Sequence, residues 1–370
     1  MSVTPIRMPK WGLSMQEGTV VNWWKEEGAE IAEGDELADI ETSKITNVYE
    51  APFAGTLRRI VAQQGETLPV GALIGVVADE SASDAEVDAF IAEFQANFVP
   101  EEVDEAGGGL ALSQVEAAGR SIRIGKAGEG DETPIVLLHG YSGDLNNWLF
   151  NLEALAASAP VIALDLPGHG GSSKDVGDGS LAVLASAVSA ALDELKIAKA
   201  HLIGHSLGGA VAARIAADRP ERIASLSLIC PAYLPGTVLN EEFLTGIAEA
   251  QRARDIKPFL EMLFADPSAV TRDMTDDMIK YKRLDGVEEV LAAIRDRMVA
   301  GDDGRALASD LANISGPVHV IASKGDQIVG IPDKSALPAN FKLHEIDGAG
   351  HMPHLEKAAE VNALLLAAVG

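Results

Sequence analysis

Three side chains in the second half of the chain have the types and the order of a nucleophilic relay. Gly204-His205-Ser206-Leu207-Gly208 fits the G-x-S-x-G pattern, Asp326 stands in Gly325-Asp326-Gln327-Ile328-Val329 after one apolar run, and His351 stands in Gly350-His351-Met352-Pro353-His354 after the next. A serine hydroxyl is a weak nucleophile by itself. It needs an imidazole to take its proton, and the imidazole needs a carboxylate to fix its tautomer and stabilise the cation that forms. Ser206, Asp326 and His351, in that chain order, fill the three roles. An acyl carbon attacked by Ser206 would develop an oxyanion, and two backbone N–H groups are expected to receive it: that of Tyr141, in His139-Gly140-Tyr141 after the apolar residues 135–138, and that of Leu207, in the first turn of the helix that the motif opens. Gly204 and Gly208 are required because a side chain at either would collide with the neighbouring strand or helix of so sharp a turn.

Such residues need strand ends to stand on. Apolar runs at 135–138, 161–164, 200–203, 224–229, 318–322 and 343–346 alternate with helical segments. They are continuous rather than alternating in polarity, as expected of a parallel sheet covered on both faces, so the class of this part is α/β. Residues 234 to about 310 interrupt the series with helical stretches such as 241–253 and 287–300, which predicts an inserted helical cap. That cap holds Arg252, Arg254, Lys257, Arg272, Lys280, Lys282, Arg283, Arg295 and Arg297, expected to pair mostly with nearby acids on helix faces. Asp165 and His169 read as structural because the triad positions are already filled. His201, His205, His319, His344 and His354 show no metal-ligand spacing, and Cys230 reads as a buried strand-end residue, so no metal is implied. Residues 133–370 resemble the α/β-hydrolase superfamily throughout, including Asp165-Leu166-Pro167-Gly168-His169-Gly170.

The first 79 residues repeat themselves. Gly18-Thr19 recurs as Gly55-Thr56, Gly28 as Gly65, Gly34 as Gly71, and Leu37 and Ile40 as Ile74 and Val77, each displaced by 55 − 18 = 37 positions. Short β-type segments broken by glycine predict a small all-β sandwich with internal symmetry, in which residues 39–47 form a hairpin with Lys44 at its tip. Residues 5–79 resemble lipoyl domains along their whole length, through Met8-Pro9-Lys10, Glu17-Gly18, Gly28, Gly34-Asp35, Ile40-Glu41-Thr42 and Glu50-Ala51-Pro52. The resemblance implies covalent attachment of lipoate to Lys44. That family commonly has Asp-Lys-Ala where this chain has Ser43-Lys44-Ile45, and biotinyl domains, which share the fold, flank their lysine with methionine instead.

Between these parts, residues 80–120 form an acidic connector, rich in acids and with no Lys or Arg between Arg59 and Arg120. Within it Ser83 and Glu86 make a capping box, and Val87, Phe90, Ile91, Phe94 and Phe98 follow at helical spacing up to Pro100. The apolar stripe is expected to pack on one of the chain's own domains, the alternative being a partner subunit. The domain reading is therefore 1–79, 80–120 and 121–370. The formal net charge of −27 opposes nucleic acid and anionic lipid, no apolar run is long enough to cross a bilayer, and a lone cysteine fits a reducing, cytoplasmic setting.

A lipoyl domain followed by an α/β-hydrolase domain resembles the E2 components of acetoin dehydrogenase complexes, described as dihydrolipoamide acetyltransferases. The resemblance implies that a thiamine-diphosphate-dependent E1 delivers an acetyl group to lipoyl-Lys44, that coenzyme A is the acyl acceptor, and that a dihydrolipoamide dehydrogenase E3 reoxidises the arm. The His-x-x-x-Asp-Gly signature of the usual E2 acyltransferase domain has no match in the chain. Two alternatives stay open: a serine esterase or thioesterase with a tethered lipoyl carrier, and a non-catalytic carrier scaffold.

Overall fold

The structure is a computed structural model in which residues 3–9, 17–42, 46–78, 82–98 and 110–370 are described. The chain divides into two compact units, 1–109 and 110–370.

The first unit is a sandwich of two four-stranded sheets. Its strands are β1 (Val3–Arg7), β2 (Glu17–Trp23), β3 (Glu30–Ile31), β4 (Glu36–Glu41), β5 (Thr46–Glu50), β6 (Gly55–Ile60), β7 (Thr67–Pro69) and β8 (Leu73–Ala78). The sheet orders are β1-β8-β6-β3 and β5-β4-β2-β7, and exchanging β1 with β5, β2 with β6, β3 with β7 and β4 with β8 turns one order into the other. The sequence repeat is thus a structural two-fold. It extends to single hydrogen bonds: Gly28 N–H donates to the Leu57 carbonyl and Gly65 N–H to that of Val20, both at 2.7 Å. Gly28 and Gly65, at φ 89° and 83°, hold the left-handed turn that glycine accepts without strain. Ile6, Val20, Leu37, Ile40, Leu57, Ile74 and Val77 fill the space between the sheets.

A helix, α1 (Asp84–Asn97), lies on the outer face of the first sheet. Ser83 and Glu86 form the reciprocal cap at its start. Every residue of β8 is buried, because its inward side chains enter the sandwich core while Leu73, Val76 and Ala78 meet Val87, Phe90, Ile91 and Phe94. Arg58 and Arg59 hold Asp84, and Arg7 stacks under the Phe94 ring at 5.1 Å. The phenylalanine stripe is therefore spent within the chain's own first unit.

The second unit has one eight-stranded sheet, built from β9 (Ala111–Ala117), β10 (Arg120–Ala127), β11 (Ile135–Leu138), β12 (Val161–Leu164), β13 (Ala200–His205), β14 (Ile223–Ile229), β15 (Val318–Ser323) and β16 (Phe341–Ile346), in the order β16-β15-β14-β13-β11-β12-β10-β9. The six strands β11 to β16 run parallel and β9 and β10 antiparallel. Helices α2 (Leu152–Ala156), α3 (Leu181–Glu194) and α4 (Leu207–Asp218) fall in the first half of the unit. Between β14 and β15 come α5 (Glu241–Glu249), α6 (Ala253–Glu261), α7 (Arg272–Lys282), α8 (Val287–Ala300) and α9 (Asp302–Asp310), and α10 (Pro353–Glu356) and α11 (Ala358–Val369) close the chain.

Two features differ from the sequence reading. The stretch read as connector up to residue 120 contains β9, which pairs with β10 along its whole length; Leu112 and Val115 stand three apart among polar neighbours on an exposed edge strand, so no continuous apolar run announces it. The helical segment expected over 241–253 stops at Glu249 as α5, and α6 begins only at Ala253. The break is held by Lys282 at the end of α7, whose buried ammonium donates to the Ile247, Ala248 and Ala250 carbonyls and so satisfies the end of α5. No helix among the described residues is long and apolar enough to cross a membrane.

Candidate active site

β13 ends at His205 and α4 begins at Leu207, leaving Ser206 alone at the turn with φ 53° and ψ −115°, a strained conformation for a residue with a side chain. Its neighbours hold it there. The Ser206 N–H donates to the Ile229 carbonyl at 2.9 Å, and its carbonyl accepts from the Ala210 and Ala232 N–H groups at 3.1 Å each. The turn leaves no room at its glycines: a Cβ on Gly204 would stand 2.3 Å from the Gly208 carbonyl oxygen, and one on Gly208 2.2 Å from that of Leu138. The α4 ladder opens with the bond from Ala210 to Ser206, so the Leu207 N–H is one of the helix's first and lies ahead of the ladder. Tyr141 follows β11, the strand beside β13. The loop comes up against the serine, since a Cβ on Gly140 would meet the His205 Nδ1 at 2.9 Å and the Ser206 Cβ at 3.1 Å.

Asp326 and His351 stand at the same edge, beyond the carboxyl ends of β15 and β16. His351 Nδ1 and Asp326 Oδ2 are 2.9 Å apart. The other carboxylate oxygen accepts the Ile328 and Val329 N–H groups at 2.7 and 3.1 Å. Burial alone would push the Asp326 carboxyl up, but the imidazole and these N–H donors outweigh it and hold it below the usual carboxylate range. An ionised Asp326 accepts a proton-bearing Nδ1, which leaves Nε2 as the basic nitrogen of His351.

Several residues that sequence reasoning did not assign to the site support it. His205 Nε2 donates to the His351 carbonyl at 2.8 Å. The His351 N–H donates to the Leu263 carbonyl at 2.7 Å, and the Glu356 carboxylate accepts both the Gly350 and the Ala265 N–H groups at 2.8 Å, so the segment after α6 is tied to the histidine loop. Burial pushes the Glu356 carboxyl up from its ordinary value. Apart from the Gly350–Glu356 bond, which spans six residues, these contacts join residues far apart in the chain and have the backbone as donor or acceptor, so no local pattern announces them. Cys230, fully buried after β14, has its Sγ within 4.8 Å of the Asp326 carboxylate and a His351 ring nitrogen, and desolvation pushes its thiol up.

Asp165 also stands at a strand end, but its carboxylate is consumed by Arg123, the Leu145 N–H and the Gly171 N–H. His169 is fully buried with Nδ1 on the Pro167 carbonyl at 3.0 Å, and desolvation brings it down to about 3. Both are structural in this arrangement. In the cap, Arg252 and Arg254 meet Asp255, Lys257 meets Glu261, Arg272 meets Asp276, Lys280 meets Asp277, Arg295 meets Glu249, and Arg297 meets Asp303. Lys44 lies outside the described residues, with Ser43 and Ile45; β4 and β5 pair up to Glu41 opposite Thr46 on either side of it.

The comparisons with known proteins cover both units. Residues 133–358 match the model of the alpha/beta hydrolase fold, and residues 4–77 match that described as Biotin-requiring enzyme. A relative from Pseudomonas putida, named as the dihydrolipoyllysine-residue acetyltransferase component of an acetoin cleaving system, is 47% identical over 98% of this chain and 97% of its own. One of the same name from Cupriavidus necator is 43% identical over 98% of this chain and 96% of its own. Among solved structures, a meta-cleavage product hydrolase superposes with a TM-score of 0.62 at 23% identity, covering 69% of this chain and 96% of that one, a likeness of fold. With two relatives matched end to end and both domain models in place, the chain belongs to the family of dihydrolipoyllysine-residue acetyltransferase components of acetoin cleaving systems, a lipoyl-type domain joined to an alpha/beta hydrolase fold.

Proposed function

We propose that the chain transfers an acetyl group from a dihydrolipoyl thioester to coenzyme A through an acyl-serine at Ser206. The observation that carries this reading is the strained Ser206 turn on the same sheet edge as the His351–Asp326 pair, in a chain that also holds a lipoyl-type domain. Pairing of β4 and β5 up to Glu41 and Thr46 leaves residue 44 in a four-residue connection between two strands, the kind of place that suits a carrier arm. Lipoate, held there by an amide on the Lys44 amine, supplies a thiol on a long flexible stalk.

In this reading Ser206 Oγ attacks the carbonyl of the acyl thioester while His351 Nε2 takes the hydroxyl proton. Tyr141 and Leu207 N–H groups hold the oxyanion. Collapse breaks the carbon–sulfur bond, and His351 returns the proton to the leaving thiol. His351 then deprotonates the coenzyme A thiol, which attacks the acyl-serine and frees Ser206. Asp326, kept ionised by its donors, stabilises the imidazolium in both halves. The partners are a thiamine-diphosphate-dependent E1, which loads the arm, and a dihydrolipoamide dehydrogenase E3, which reoxidises it, in a cytoplasmic complex.

One observation favours a second acceptor. Seven of the cap's nine basic side chains are tied to carboxylates and Lys282 to backbone carbonyls, whereas a polyanionic coenzyme has to displace those acids to find most of its cations. Water then resolves the acyl-serine and the chain is a thioesterase. Incubating acetyl-dihydrolipoamide with the protein and coenzyme A, and measuring acetyl-CoA against acetate, decides between them. Ser206→Ala abolishes either product; full activity in that variant ends the acyl-serine mechanism.

A further inference from the structure

Tyr141 extends from the loop that faces Ser206 into the helices between β14 and β15. Its backbone precedes Ser142, held at φ 61°, in a turn closed by the Gly143 N–H on the Gly140 carbonyl at 3.1 Å. Its phenol donates to the Leu291 carbonyl of α8 at 2.9 Å. Leu291 lies on the buried face of α8 with Val287, Val290 and Ile294. A buried phenol needs some acceptor, and one within the sheet or its own loop would satisfy it equally well. Here the acceptor belongs to an inserted element that is not part of the sheet. The same insertion also holds the histidine, through the His351 N–H on the Leu263 carbonyl at 2.7 Å.

We infer that the Tyr141 hydroxyl is a positioning group that makes the oxyanion-binding backbone depend on the seating of α8. With α8 in place the phenol anchors residue 141, and its N–H is fixed beside that of Leu207. When α8 moves away the anchor is lost, the loop is free to turn, and an acyl group entering the site finds only one fixed donor. Burial pushes the Tyr141 phenol above its ordinary value, so it remains a donor throughout the working range. The inference rests on Ser206 being the nucleophile.

A second phenol provides the control. Tyr281 of α7 donates to the Gly168 carbonyl at 3.0 Å, also joining the insertion to the sheet side, but at the turn after β12 rather than at the oxyanion loop. Tyr141→Phe and Tyr281→Phe each remove one such bond and keep the ring. The full chain is treated with an alkyl fluorophosphonate: Ser206 Oγ bonds to phosphorus, fluoride leaves, the hydroxyl proton passes to His351, and the phosphonyl oxygen occupies the oxyanion position. Amide exchange of α8 and circular dichroism are measured alongside. We expect the unmodified chain to label at Ser206, Tyr141→Phe to label about tenfold more slowly with a native spectrum and faster exchange in α8, and Tyr281→Phe to label within about twofold of the unmodified rate, a single hydrogen bond being worth roughly this much. Equal labelling of Tyr141→Phe and the unmodified chain overturns the inference. So does equal slowing in both variants, which is what general loosening of the insertion gives. Failure of the unmodified chain to label at Ser206 removes the nucleophile itself, a distinct result.

Discussion

His205 donates its Nε2–H to the carbonyl of His351 at 2.8 Å, so the residue just before Ser206 holds the backbone of the histidine proposed as its base. The two rings lie 4.7 Å apart, and the carbonyl fixes the His205 tautomer with Nδ1 unprotonated. His205→Phe keeps the ring volume and leaves that carbonyl without its donor. Expected is a fall in kcat of about 10-fold, from the roughly 1–2 kcal/mol of one buried hydrogen bond, with a native circular dichroism spectrum. An unchanged kcat would show that His351 is held adequately by Leu263 alone.

Asp326→Asn separates the two duties of that side chain. The amide oxygen can still accept the Ile328 and Val329 N–H groups, so the turn survives, but the amide nitrogen then faces His351 Nδ1 and selects the wrong imidazole tautomer. The expected result is a kcat lower by about 10³–10⁴ with little loss of thermal stability. A variant retaining a tenth of the activity rules out Asp326 as the third member.

Acid should unfold the second unit earlier than its carboxylates alone would. His354 and His169 are brought down to about 3, chiefly by burial and further by a neighbouring histidine, and His205 is lowered well below its ordinary value. In the unfolded chain each titrates near 6.5. Below that pH the unfolded state binds protons that the folded state refuses, so the stability is fully present above about 6.5 and is lost as the pH falls toward about 3, at about 1.4 kcal/mol per pH unit for each residue. Urea midpoints followed from pH 7 to 4.5 measure this. His354→Phe should make the slope shallower by about one proton, and an identical slope counts against a neutral, buried His354.

Lys282→Met tests the cap. The methionine preserves most of the packing but leaves the Ile247, Ala248 and Ala250 carbonyls without their ammonium, at an expected cost of about 2–3 kcal/mol. Lys257→Met, which removes the exposed pair with Glu261, should cost under about 0.5 kcal/mol. Denaturant unfolding of the two variants side by side reads the difference; equal costs would mean that Lys282 caps nothing of consequence.

How much the sequence disclosed depends on how local each determinant is. Ser206 is legible because the turn that presents it demands Gly204 and Gly208 at fixed offsets. The repeat of 37 exposes the two-fold because its glycines and core residues occupy equivalent places in both halves. β9 escaped because an edge strand exposed along most of its length carries no continuous apolar run. The end of α5 at Glu249 is capped by Lys282, more than thirty residues away, and the anchoring of Tyr141 on Leu291 spans 150. Contacts of that range are set by the folded chain as a whole.

The helix on the first unit also decides at which end of the sandwich its described residues stop. α1 starts by the end of β8, where Arg58 holds the Ala82 carbonyl, and its 14 residues cover about 21 Å along the strand before Phe98 comes to rest beside Gly71. Gly71 is two residues past Pro69, which pairs with Glu17, and two residues along the same strand Thr19 faces Glu41 at the end of β4. Phe98, the last described residue of this unit, therefore rests at the end of the sandwich where β4 gives way to residues 43–45, rather than at the opposite one. In the proposed carrier, the strand end that mounts the arm and the point at which α1 hands on the chain share one end, with no sandwich length between them.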